Sequence, residues 1–115
     1  MDIQAKQRFI RETAVRAADD LSGGMILWSR HAIAKAVRER LTRRDVEAAL
    51  TGADVIEDYP STHRALPDCL VLCWLDRRNP VHAVVALDVT NSRLFMVTVY
   101  RPLQEKWQDD WRKRK

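Results

Sequence analysis

Only three of the chain's 115 residues are glycine, and none of the glycine-dependent signatures is present. There is no phosphate-cradling loop, no dinucleotide fingerprint and no nucleophile elbow, which disfavours nucleotide-dependent enzymes and serine hydrolases. Cysteine is scarce too. Cys69 and Cys73 lie four apart in CLVLCWL, where strand alternation points both side chains to one face of one strand, a poor geometry for a disulfide. No second Cys/His pair completes a zinc site, so no metal and no cofactor is expected, and two buried thiols suit a reducing cytoplasm. The start MDIQAKQRFIRET lacks a charged-then-apolar signal pattern, and no uncharged apolar run approaches membrane-spanning length. These absences point to a soluble cytoplasmic protein without a membrane partner.

What remains is enough for one domain over 1–115: 46% of the residues are hydrophobic and 31% charged. Twenty Lys+Arg against 16 Asp+Glu leave a net charge of +4, which permits an anionic partner without requiring one. There is no internal repeat and no low-complexity linker. An N-terminal helical arm fills 1–24 and the core 27–111.

Ile3, Ile10, Ala14, Ala17 and Leu21 recur at helical spacing, which predicts an amphipathic helix from Asp2 to Leu21 that Ser22-Gly23-Gly24 ends. Met25 to Trp28 reads as a short apolar lead-in before Ser29, a good N-cap for a second helix over about 30–40. Ile33, Val37 and Leu41 would form its inner face, with Ala32 and Ala36 allowing close packing. Thr42 and Asp45 resemble a capping box and start a third helix through Val46, Ala49 and Leu50, closed by Gly52. The period then changes. Val55–Tyr59, Cys69–Leu75, Val81–Val89 and Leu94–Tyr100 predict four strands, the last three an antiparallel meander joined by turns at 77–80 and 90–93. Pro102 begins an expected final helix carrying Leu103, Trp107 and Trp111 before the basic end RKRK. The fold class is therefore α+β, N-terminal helices on one face of a four-stranded antiparallel sheet plus a C-terminal helix, with the sheet's other face left for solvent or a partner.

His31, Lys35 and Arg38 line one edge of the second helix. Near Ser29 the unpaired backbone N–H groups of the first turn favour an anion, so this edge is either one that grips phosphate or a solvated basic face. His82 sits in an apolar strand, either as a catalytic base or as a half-buried histidine satisfied by a hydrogen bond. A two-residue loop would set Tyr100 opposite Ala83 and a three-residue loop opposite His82. Tyr100 and Arg101 suit stacking on a base and gripping a phosphate, or else an edge aromatic with a solvated cation. His63 and Arg64 belong to a polar loop. Trp107 and Trp111 form a core or partner-binding stripe more readily than a stacking platform, and RKRK reads as a frayed terminus. An enzyme built from such groups would work with His, Lys, Arg and Tyr alone, and metal-independent RNA cleavage needs no more, because the substrate's 2′-hydroxyl is the nucleophile.

The ordered set SRHA, LTRRDVEAAL, VIEDYP, VHAVVAL and MVTVYRP with a downstream Trp resembles the domain-of-unknown-function 4258 family, from about Leu27 to Trp111. Members of that family look like relatives of RelE-type and BrnT-type toxins. The resemblance implies a RelE-like fold whose free sheet face binds RNA, a neutralising antitoxin partner, and endoribonuclease action on mRNA, sometimes on the ribosome. Against a pattern His-Ala-x-x-Arg-x-x-x-Arg-Gly-Ile, this chain has Lys35, Glu39, Arg40 and Leu41, so an expected arginine is replaced by Glu39 between Arg38 and Arg40. His31 or His82 is the expected base, Lys35, Arg38 or Arg64 stabilises the phosphate, Tyr100 orients the substrate base or assists proton transfer, and Arg40, His63, Arg64 and Arg101 bind RNA. The alternatives are a non-catalytic RNA- or protein-binding module of the same fold and, more weakly, a DNA-binding autoregulator.

Overall fold

The computed structural model describes residues 1–59 and 65–115. His63 and Arg64 lie outside the described residues. The described residues form three α-helices, α1 (Ile3–Ala18), α2 (Arg30–Arg38) and α3 (Arg43–Ala49), and five strands, β1 (Ile26–Trp28), β2 (Asp54–Tyr59), β3 (Asp68–Asp76), β4 (Asn79–Asp88) and β5 (Arg93–Tyr100). The sheet order is β1-β5-β4-β3-β2. The class is α+β as expected, but the sheet has five strands and is mixed: the apolar lead-in Ile26–Trp28 pairs in parallel with β5 at Leu94, Phe95 and Met96. Strands β2 to β5 are antiparallel neighbours, so the meander is present.

Each helix starts where a side-chain oxygen satisfies an orphan N–H. Asp2, Ser29 and Thr42 accept from Ala5, Ala32 and Asp45 at 2.7, 3.0 and 3.1 Å. α3 gives way to a 3₁₀ turn over Leu50–Gly52 rather than ending in a glycine cap. Helix α2 ends in a Schellman turn, with Leu41 N–H donating to the Ala36 carbonyl at 2.8 Å and Arg40 N–H to that of Val37 at 3.2 Å. The left-handed position of this turn is Arg40, at φ 56°, where glycine is the usual resident. Arg40→Gly is therefore expected to stabilise the protein by about 1 kcal/mol, read as a higher urea midpoint at unchanged m-value.

One face of the sheet carries the main core. Ile10 and Ala14 of α1, Ala32 and Ala36 of α2 and Val46 of α3 pack on Val71, Val81, Ala83, Val85 and Met96. The inner face of α2 is thus its alanines, not the predicted Ile33 and Val37, which are 41% and 73% exposed. The physical reason is proximity. Ser29 N–H donates to the Met96 carbonyl at 3.1 Å and its hydroxyl to that of Val97 at 3.1 Å, drawing the helix so close to β5 that only methyl groups fit between. Lys6 is buried within this layer, where it pairs with Asp58 and donates to the Asp68 carbonyl at 3.0 Å.

The second face is not left open as expected. No helix forms after Pro102; the segment 102–115 folds back as a strap whose Trp107 and Arg114 form an antiparallel bridge. Trp107 is 2% exposed and lies with Leu70, Leu72 and His82, all buried on this outer face. The basic end is not frayed: Arg112 donates to Asp54 at 2.7 Å, and Arg114 holds Glu57 through two hydrogen bonds of 2.8 and 3.0 Å. Asp54 is shared with Arg11 of α1 at 2.5 Å, tying both layers to edge strand β2.

Candidate functional site

The outward chemistry of β5 depends on a β-bulge. Met96 faces the helices opposite Val85, and simple alternation would send Thr98 and Tyr100 the same way. The ladder shifts between Val84 and Val85, so Val97 is the extra residue; Val99 takes the inward position, and Thr98 and Tyr100 turn to the outer face. The connection runs from Asp88 to Arg93, neither of the two loop lengths considered, and an unshifted ladder would set Tyr100 opposite Val81. The bulge sets it opposite His82.

His31, exposed in the first turn of α2, meets this strand: its Nε2 lies 3.0 Å from Thr98 Oγ1. Ser29 bonds to the bulge residue itself, so cap, helix start and bulge fix one another. Among the described residues no hydrogen bond is made by His31 Nδ1. Arg30 and Arg38 are exposed and form no ion pair among the described residues, and with the first-turn N–H groups they give this edge a positive potential. Lys35 lies 3.9 Å from Glu39 one turn on. Arg40 is exposed.

The other candidates are engaged structurally. Arg101 caps α2: its Nε donates to the Glu39 carbonyl at 2.9 Å and its Nη2 to that of Arg40 at 3.3 Å, while its backbone N–H meets Glu39 Oε1 at 3.3 Å. Glu39, which replaces an expected arginine, thus helps to lock strand β5 to helix α2.

His82 is fully buried. Its Nε2 is 2.7 Å from the Trp111 carbonyl, which can only accept, so that nitrogen carries the proton and Nδ1 accepts from the Tyr100 hydroxyl at 3.2 Å. Trp107 packs edge-on at 4.3 Å between ring centroids. Burial depresses the His82 pKa, against the hydrogen bond to Trp111, and burial raises that of Tyr100. Tyr59, packed beside them, is pushed up to about 12 by burial and its bond to Glu57. His82 is thus hydrogen-bonded at both ring nitrogens, and it is fully buried rather than half-buried.

Because the folded state resists protonating His82, stability is complete above the ordinary value of 6.5 and falls as pH drops below it, when the unfolded chain takes up a proton that the folded chain resists. His82→Gln should flatten this part of the profile, before the carboxylates titrate; denaturant melts across that range measure it.

Two of the five proposed catalytic groups, His82 and Tyr100, therefore pair with each other under the strap, and His31 pairs instead with Thr98 on the same outer face of β5. Among the described residues no hydrogen bond joins His31 to His82 or Tyr100. Thr98 is the residue that sequence reasoning passed over, and only the bulge reveals it. Two grooves lie away from His31, one of ≈ 530 Å³ between α1 and α3 and one of ≈ 490 Å³ beside Arg101. Among the described residues no cluster of three or more His, Cys, Asp or Glu could hold a metal, and no helix is long and apolar enough to cross a membrane. Cys69 and Cys73 are free, buried thiols whose pKa values burial pushes up to about 12, so neither is a ready nucleophile.

No curated protein and no solved structure matches the chain. The model of a domain of unknown function (DUF4258) matches residues 28–101, from the last residue of β1 to the arginine that caps α2, leaving α1 and the whole strap outside. That match spans well over half of the sequence, so the chain belongs to the domain-of-unknown-function 4258 family.

Proposed function

We propose that the protein is the toxin of a type II toxin–antitoxin pair, a RelE-like, metal-independent endoribonuclease that cuts mRNA in the cytoplasm and is neutralised by a cognate antitoxin. The observation that carries this reading is His31: an exposed imidazole steadied by Thr98 at 3.0 Å, beside exposed arginines and the N-terminus of a nine-residue helix. With Nε2–H donating to Thr98, Nδ1 takes the proton of the substrate's 2′-hydroxyl. The oxygen attacks the adjacent phosphorus, the bond to the 5′-oxygen breaks, and that oxygen takes a proton from water. The products are a 2′,3′-cyclic phosphate and a 5′-hydroxyl. Arg30, Arg38 and Lys35 offset the charge that builds on the phosphate.

A second reading, a non-catalytic RNA-binding module, draws support from the burial of His82 and Tyr100 and from the engagement of Arg101. The two separate on one substrate pair. In EDTA the purified protein should cut a single-stranded RNA and spare the same RNA carrying one 2′-deoxynucleotide at the cut site; cleavage of both at equal rates would reject the mechanism, and binding of both without cleavage would leave only the module.

A further inference from the structure

On the outer face of β5, the neighbour of Thr98 on the side away from Tyr100 is Phe95. The bulge compresses the strand there: Phe95 pairs with Ala86 and Thr98 with Val84, two positions apart on β4. The two side chains thus stand about 7 Å apart, comparable with the reach of one extended nucleotide. Phe95 is half-buried, flanked by Leu27 of β1 and the small Ala86 of β4, and it takes no part in the helix-side core. The guanidinium of Arg93 lies 5.3 Å from the centroid of its ring. Arg93 is itself held by Asp88 at 2.8 Å, and Asp88 is fixed in turn by Asn91 at 2.9 Å. The guanidinium plane is therefore ordered before any ligand arrives, so little side-chain entropy remains to be lost on binding.

We propose that Phe95 and Arg93 form a base-stacking subsite one nucleotide from the phosphate handled at His31 and Thr98, and that the substrate is single-stranded RNA. The inference rests on the RNA reading given above. A planar guanidinium over an aromatic ring offers a π-face to any base, and a positive charge to the backbone beside it. A base reaches such a platform only when it is unstacked from its neighbours, which a duplex does not allow without local melting. The bulge that turns Thr98 outward also shortens the path from Phe95, so one irregularity sets both the cutting position and its distance from the stacked base.

The test measures binding of a short, non-cleavable 2′-O-methyl oligoadenylate by fluorescence anisotropy, alongside the same strand with one internal abasic residue and a duplex of the same length. Phe95→Leu keeps the apolar bulk and removes the ring, and Arg93→Gln removes the charge; circular dichroism and melts confirm that both fold. Each variant should bind the intact strand about tenfold more weakly than wild type, the duplex should bind more weakly than the single strand, and the variants should lose the discrimination against the abasic strand. Wild-type affinity in Phe95→Leu for both strands would overturn the subsite while leaving the RNA reading in place. If the wild-type protein bound none of these nucleic acids, the RNA reading would fall and the subsite with it.

Discussion

Trp107→Ala should cost the protein about 3–5 kcal/mol of stability, the largest loss expected of any single truncation outside the helix-side core. Trp107 is 2% exposed although it follows the last strand and belongs to no helix. Its ring fills the space over His82, and the Arg114 guanidinium covers it at 4.7 Å. Removing it leaves a void against a buried, neutral imidazole whose two nitrogens are already committed, so the site cannot simply collapse. The ion pairs of the strap cannot compensate. Arg114 and Arg112 are 58% and 46% exposed at their side chains, and such pairs contribute at most about 1 kcal/mol each. Urea denaturation of Trp107→Ala and Arg114→Gln side by side decides the point: a large loss for the first and a small one for the second means that packing holds the strap, and comparable small losses would mean that it merely rests on the sheet.

The strap also marks where sequence pattern and structure part. Trp107 and Trp111 are four apart, which suits a helix as well as anything else, but their partners are non-local: His82 and, through Arg114, Glu57. Trp111 sits at φ 64°, which no regular helix permits. Helix starts were legible because Ser29 and Thr42 act within three residues, and strands β2 to β5 were legible because each contains a run rich in Val, Leu or aromatic residues. Strand β1 was not, since three residues gain strand character only from a parallel partner far along the chain. The bulge at Val97 was illegible for a stronger reason. Nothing in RLFMVTVY marks which residue is extra, yet that residue decides which side chains face outward. His31 could be read as a candidate from its place after an N-cap, whereas its contact with Thr98 required the register.

His31→Ala should lower RNA cleavage about a hundredfold or more and leave the fold intact, because a positioned base contributes about 10²–10⁴ in rate, whereas its one hydrogen bond contributes only about 1 kcal/mol to stability. The side chain is exposed and only Thr98 meets it among the described residues, so truncation opens no cavity. His31→Gln sharpens the result. Glutamine can still bond to Thr98 and still presents a polar tip, but it cannot accept a proton at neutral pH. If His31 is the base, both variants lose cleavage alike and bind single-stranded RNA as before; if it only orients the backbone, glutamine restores much of the activity that alanine removes. His82→Gln provides the complementary control. Its imidazole is sealed beneath Trp107 and Trp111, so its replacement should alter stability below pH 6.5 without a comparable loss of cleavage at neutral pH. The opposite outcome, activity abolished by His82→Gln and untouched by His31→Ala, would move the chemistry beneath the strap and require the strap to open before RNA could be cut.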